Sequence, residues 1–169
     1  MQARRAPDAD LGELIAGVSP RAFYRVVAIA EAITWTLLIV GMLLKYVFEV
    51  TDLGVAIGGF AHGLVFIAYG LSAALIGVNQ RWKPALIVAA MATAVAPYAT
   101  IPFDRWLERR NLLDGGWRLD ATDDPRDHTA RARLLRWALG HPLLLGGGLV
   151  IALAAIMTTL LVLGPPGGR

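Results

Sequence analysis

The sequence predicts an all-α fold: a multi-pass transmembrane helical bundle of four spans, a three-span core plus one added C-terminal span. Three observations predict it. Hydrophobic residues make up 56% of the 169, and they fall in long unbroken runs, not in 3.6-residue or 2-residue alternation. Four of these runs come close to or exceed the roughly 20 residues that a helix needs to cross about 30 Å of hydrocarbon. Most of the polar residues are confined to the N-terminal tail and to one long segment between the third and fourth runs.

Residues 1–21 form a polar tail with a short amphipathic piece. Asp10 suits an N-cap, with Glu13 as its capping-box partner. Leu11, Leu14, Ile15 and Val18 share one face, and Pro20 stops the pattern. This piece reads either as a helix lying on the membrane or as a frayed tail. No cleaved signal peptide is expected, because the first apolar run begins after about twenty polar or mixed residues and is too long for a signal core.

The membrane core spans residues 22–103. Its first span runs from about Ala22 to Leu44 and exits through Lys45 and Tyr46. The second runs from about Gly54 to Val78. The third is expected as one helix from about Pro84 to Phe103, with Pro84 in the first turn. Pro97 should kink it, since the ring removes one helical hydrogen bond, and Pro102 should reinforce the stop. Residues 104–141 form an arginine-rich loop, with turns marked by Gly115, Gly116 and Asp123-Asp124-Pro125. Residues 142–164 are the fourth span, and 165–169 a short tail.

Charge placement conflicts with this count. The positive-inside rule weighs Lys and Arg near the ends of spans. Arg21, Arg25, Arg81 and Lys83 favour a cytoplasmic N-terminus, whereas the arginines of the long loop favour the opposite orientation. With four crossings these two groups lie on opposite faces.

Two intramembrane residues carry the functional reading. Glu31 lies near the middle of its span, where an ionised carboxylate costs about 2.5–3.5 kcal/mol on insertion scales. It must therefore pair, face water or protein, or hold a proton. His62 lies on a face with Tyr69 and several glycines. Gly59 and Gly63 form a GxxxG pair, and Gly63, Gly70 and Gly77 recur every seven residues, so Gly59, Gly63, Gly70 and Gly77 read as a helix-packing surface. Glu31 and His62 could make a proton relay, bridged by Tyr69 or a water, or each could be a satisfied structural residue. Lys45 is about 21 Å along the helix from Glu31 and should snorkel to the interface. Arg105, Arg109, Arg110, Arg131, Arg133 and Arg136 read as contacts to lipid headgroups.

The chain has no cysteine and three histidines, which excludes disulfides and thiol catalysis. The histidine spacing matches no metal motif. No P-loop, GxSxG or HExxH occurs. No enzyme activity, metal or other cofactor is therefore expected. The net charge of +3 is weak support for a nucleic-acid partner, and none is expected.

Phe23-Tyr24-Arg25 through Glu31-Ala32, Leu44-Lys45-Tyr46, His62-Gly63 with Phe66 and Tyr69, Trp82, and Pro97-Tyr98-Ala99-Thr100 with Phe103-Asp104 resemble one family. It is the YdzA-like family of small bacterial integral membrane proteins, common in actinobacteria and of unknown function. The resemblance covers about residues 22–113. It implies a three-span membrane core and no chemistry. The chain departs from it in the long loop, the fourth span, and Ala32 where glycine is expected.

The expected role is a non-catalytic accessory or assembly subunit of a larger complex in the bacterial plasma membrane, with a respiratory-chain assembly as one setting. Its partners would be the lipid bilayer, other membrane subunits or copies of itself. The alternative is a proton-coupled or small-solute transporter using Glu31 and His62. A lipid-modifying enzyme ranks last, for want of a nucleophile and its base.

Overall fold

The computed structural model describes residues 17–163. The amphipathic piece around Asp10 and Glu13 lies outside them. The elements, in order, are α1 (Pro20–Tyr46), α2 (Leu53–Asn79), α3 (Pro84–Thr93), α4 (Thr100–Arg109), a 3-10 turn (Pro125–His128), α5 (Ala130–Leu139) and α6 (Pro142–Leu163). The chain is an all-α, multi-pass helical bundle, and α1, α2 and α6 are long and apolar enough to cross a membrane.

Local sequence sets the helix ends. Ser19 caps α1, its hydroxyl accepting from the Ala22 N–H at 3.1 Å, and Pro20 fills the first turn, where no donor is needed. α2 ends in a Schellman turn: the Trp82 N–H reaches the Gly77 carbonyl at 2.8 Å and the Arg81 N–H reaches that of Val78 at 3.2 Å. The left-handed position, usually glycine, is Arg81 at φ 55°.

α1 and α2 run antiparallel with their backbones in contact. A Cβ on Gly41 would lie 2.3 Å from the Gly54 carbonyl oxygen, and one on Gly58 would lie 2.8 Å from that of Leu37. This close seam is made by Gly41, Gly54 and Gly58, not by the seven-residue glycine repeat. That repeat points elsewhere. Gly77 is covered by Ile87 of α3, and Gly63 faces Met157 of α6 at 3.4 Å. Gly70 has no neighbour within 4 Å, and Gly59 only grazes Leu38 at 3.9 Å. Of the four glycines expected on a packing face, Gly63 and Gly77 therefore lie against other helices, and Gly59 and Gly70 have little or nothing beside them.

The third span takes a different form from the one expected. Residues 84–103 are not one kinked helix. α3 stops at Thr93, the chain turns through residues 94–99, and α4 begins at Thr100. Tight i to i−3 bonds from Ala94, Val95 and Ala96 wind down the end of α3. Pro97 withholds the next donor, and Tyr98 takes a left-handed φ of 63° that reverses the path. Pro102 does not stop a helix. It sits in the first turn of α4, where a missing N–H costs nothing.

Cross-contacts give the direction of each limb. α3 descends from Ile87, beside Gly77, to Ala94, whose carbonyl accepts from the Trp35 indole at 3.1 Å. The Tyr98 hydroxyl meets that of Thr36 at the tip. α4 then climbs back along α1: Thr100 bonds the Ala28 carbonyl, and Asp104 and Glu108 bond Arg25. Asp114, just beyond, pairs with Arg21. α3 and α4 form a re-entrant hairpin that enters and leaves at the end of the bundle marked by Pro20 and Asn79. Its tip reaches about 24 Å down α1, at 1.5 Å per residue.

α6 starts at that same end. Pro142 and Leu145 line a surface recess with Phe23 and Leu75, while Met157 lies beside Gly63 farther along. It therefore runs parallel to α1. The hairpin places Arg21, Arg25, Arg81, Lys83 and the arginines of residues 105–136 at one end of the molecule. The opposite end carries Lys45, paired with Asp52 at 3.4 Å. The conflict in charge placement disappears, because both groups of basic residues lie at one end.

Two predictions follow from this geometry. The chain has no cysteine of its own, so single cysteines at Thr51, Lys83 and Asp123 can be labelled on intact cells with an impermeant maleimide. Thr51→Cys should react, while Lys83→Cys and Asp123→Cys should stay protected until the membrane is opened. Labelling that places positions 83 and 123 on opposite faces would restore a complete third crossing. Separately, Gly41→Leu should lower stability in detergent by at least about 1–3 kcal/mol, the usual cost of overpacking. Gly147→Leu, where nothing lies within 4 Å, should leave the melting temperature unchanged.

Candidate intramembrane polar site

The hairpin, α1 and α2 enclose three layers of polar side chains. The layer nearest the arginine-rich end is a hydroxyl chain. Thr93 donates to the Ala90 carbonyl at 2.6 Å, so it accepts from Tyr69, 3.0 Å away. Tyr69 in turn accepts from Tyr24 at 2.6 Å. Both tyrosines are fully buried, and this chain lets three helices bury polar groups without leaving one unpaired.

Glu31 forms the middle layer and is 0% exposed. Its Oε2 lies 3.0 Å from the Thr100 hydroxyl. Thr100 opens α4, whose Ala99 cap offers no side-chain bond. The carboxyl thus sits beside the first residue of a short helix, where the helix dipole favours a negative or electron-rich partner. Oε1 has no hydrogen-bond partner among the described residues.

His62 forms the deepest layer. Its Nδ1 lies 3.2 Å from the Thr34 hydroxyl, which donates to the Glu31 carbonyl at 2.9 Å. With that proton committed, Nδ1 is the donor to Thr34. The imidazole packs on Trp35 at 4.4 Å between ring centres and on Phe66 at 6.0 Å.

Glu31, His62 and Tyr69 therefore gather in one core, but their expected connections change. Thr34 joins His62 to the backbone carbonyl of Glu31 and not to its carboxyl, while Tyr69 turns to Tyr24 and Thr93. Lys45 lies at the opposite end with Asp52 and takes no part. The sequence reading missed Thr34, Thr93 and Thr100, because threonine is common in membrane helices and carries no mark of its own. It also missed Asp104, 4% exposed, whose Oδ2 pairs with Arg25 Nε at 3.1 Å. Among the described residues, no group of three or more His, Cys, Asp or Glu is placed to hold a metal ion.

The long loop is bound to the bundle. Asn79, fully buried, donates to the Gly116 carbonyl and accepts from the Arg118 N–H at 2.9 Å. The Trp82 indole donates to Leu112 and the Trp117 indole to Val18, each at 2.8 Å. Arg81 reaches Asp124 at 2.8 Å and Asp127 at 2.9 Å. Arg105, Arg109, Arg110, Arg131 and Arg133 are exposed. Arg136 is partly buried and donates to the Asp127 carbonyl at 2.8 Å, so it also braces the loop.

Paired cations hold both loop carboxylates below the usual range. Asp127 is lowered chiefly by Arg81 and then by Thr122. Asp124 falls from 3.8 to about 2, chiefly through its bonds to Arg126. A depressed folded value adds stability above the unfolded value and loses it as pH falls through the folded one. Proteolytic protection of residues 117–129 should therefore persist at pH 4 and fade toward pH 2. Asp127→Asn should expose the segment at neutral pH. In the membrane core, Thr100→Val should cost about 1–3 kcal/mol by stranding buried acceptors, read as a lower melting temperature, and Thr100→Ser should recover most of it.

Over 88 residues the chain is 41% identical to the Streptomyces coelicolor protein named "Putative membrane protein SCO5905", an overlap covering 52% of this chain and 10% of that relative. The chain thus spans about a tenth of the length of the curated relative it matches. No solved structure matches it. Residues 21–109, from the start of α1 to the end of α4, match the family model described as a domain of unknown function, DUF3817. The chain belongs to the DUF3817 family, an uncharacterised family whose matched region here is α1, α2 and the re-entrant hairpin.

Proposed function

We propose that the protein is a non-catalytic subunit of a larger assembly in the bacterial plasma membrane, with an accessory or assembly role. The observation that carries this reading is the state of α6. A helix within a self-contained bundle buries a stripe against its neighbours. α6 has 22 residues and none of them is buried. Gly146, Gly147 and Gly148 have open space around them, and small residues are what let a second membrane helix approach closely. The polar core supports the same reading, since most of its groups are spent holding the hairpin to α1 and α2. The resemblance to the YdzA-like proteins and the similarity to a Streptomyces protein favour an actinobacterial setting, in which a respiratory-chain assembly is a natural host.

Native membranes solubilised in a mild detergent test this, with native gels and mass spectrometry of the band. The protein should migrate with other membrane subunits, and Gly147→Leu should release it without unfolding. Migration as a lone monomer or homodimer would overturn the reading.

One observation favours a second reading, a proton-coupled transporter. The Thr100 hydroxyl has one proton and two acceptors in reach, Ala28 O at 3.1 Å and Glu31 Oε2 at 3.0 Å. Both contacts are fully served when the Glu31 carboxyl carries a proton of its own. Proton flux into proteoliposomes should then drop at least about tenfold in Glu31→Gln, as expected where one group carries the transfer. Flux equal to the parent's removes this reading.

A further inference from the structure

Away from the intramembrane core, one concentration of charge is built into the fold and left uncompensated. α5 lies across the arginine-rich end of α2, and a narrow cleft opens between them. Five guanidiniums line it, those of Arg81, Arg118, Arg126, Arg131 and Arg136, with one carboxylate, Asp127.

The nearby carboxylates cannot neutralise this set. Asp127 already accepts from Arg81 through both oxygens, and from the Thr122 N–H and hydroxyl. Asp124 accepts from Arg81, and from the backbone and side chain of Arg126. A carboxylate offers about four acceptor sites, so both are full. Arg118 and Arg131 make no side-chain hydrogen bond or ion pair among the described residues, and Arg136 meets a backbone carbonyl. Arg118 is nevertheless fixed in place, because its N–H is held by the buried amide of Asn79. Its proton affinity is lowered by burial and then by the nearby Arg81.

We propose that this cleft is a binding site for a phosphate group, carried by an anionic phospholipid headgroup or by a soluble phosphate. Guanidiniums present forked donors that match phosphate oxygens. The floor of the cleft is apolar, with Trp82, Ile87 and Leu135, and α5 exposes Leu134 and Trp137 beside it. An exposed tryptophan on a basic helix belongs at headgroup depth, which puts the cleft within reach of a lipid phosphate. The site differs from a diffuse basic surface in using Arg81, Arg118 and Arg126, which the loop fold brings to α2.

The full chain in neutral detergent provides the test, by native mass spectrometry and thermal unfolding with phosphatidylglycerol, phosphatidylcholine or millimolar inorganic phosphate. The parent should retain phosphatidylglycerol over phosphatidylcholine and melt higher with it. Arg118→Gln with Arg131→Gln should weaken retention about tenfold, the loss of roughly one charge-assisted contact. Arg105→Gln with Arg109→Gln, outside the cleft, should bind as the parent does. If the first pair fails to fold, Arg131→Gln alone carries the test, since that exposed side chain braces nothing. Stabilisation by inorganic phosphate that also displaces the lipid assigns the site to a soluble phosphate. Stabilisation by the lipid alone assigns it to the headgroup. Equal loss in both double variants, undiminished binding in the cleft variant, or no response to either ligand would overturn the proposal.

Discussion

The polar seam between α4 and α1 is the constraint on which the rest of the architecture depends. Thr100 reaches Ala28 and Glu31, and Asp104 and Glu108 reach Arg25. Each contact joins a residue of the ascending limb to one that lies nearer the start of α1. An α4 that continued downward would carry Asp104, Arg105, Glu108 and Arg109 toward the far headgroups, past apolar residues of α1 and α2 that cannot pair with them. Folding back gives those charges partners instead. Buried polar contacts in membrane bundles are modest singly, about 0.6 kcal/mol on average. A crossing over residues 84–103 would instead leave Glu31 without Thr100 and Arg25 without Asp104 and Glu108, so several such contacts would be lost together. The seam therefore selects the hairpin over a crossing.

Much else follows from that choice. With both hairpin ends on one face, the loop of residues 110–129 can reach the ends of α1 and α2, and Asn79, Arg81 and Trp82 bind it there. α5 is then set down on α2, and α6 must start from the same face and run parallel to α1. The α1–α2 seam is a different kind of contact. It is made from backbone touching backbone at Gly41, Gly54 and Gly58, and is strong because its shape is fixed. The hairpin is held by hydroxyls and charges at a few points around a turn that includes a left-handed Tyr98.

The sequence declared the membrane class, the limits of the first, second and last spans, and Glu31 and His62 as the polar centre. Those readings rest on run length and on charge in an apolar setting, both local. The hairpin was hidden because residues 84–103 have the length and hydropathy of a span. The clue lay in Pro97-Tyr98 followed by Thr100 and Asp104, and in arginines that refused to fall on opposite faces. The charge conflict was a real signal of a third segment that does not cross. Gly41 and Gly54 were missed for a related reason: which glycines touch depends on how two helices cross, and a repeat within one helix cannot supply that. Thr34, Thr93 and Thr100 became visible only with their partners in place.

The limits of the family region separate two layers of organisation. Residues 21–109 close at the end of α4, so they hold the glycine seam, the hairpin and all three polar layers. α5, α6 and most of the arginine cleft lie beyond. Yet that cleft is assembled on Arg81 and Trp82, which belong to the family region, and its loop is anchored by Asn79. Arg81 takes a strained φ of 55° where glycine would sit freely, a cost of about 1–2 kcal/mol. A glycine at that position could end α2 but could not hold Asp124 and Asp127. The strain is thus repaid by docking the loop, and the docked loop is what brings Arg118 and Arg126 beside Arg81. The C-terminal addition is therefore keyed into the end of α2. The cleft and the polar core thus share one helix, α2, which carries His62 and Tyr69 along its length and ends at Asn79, just before Arg81.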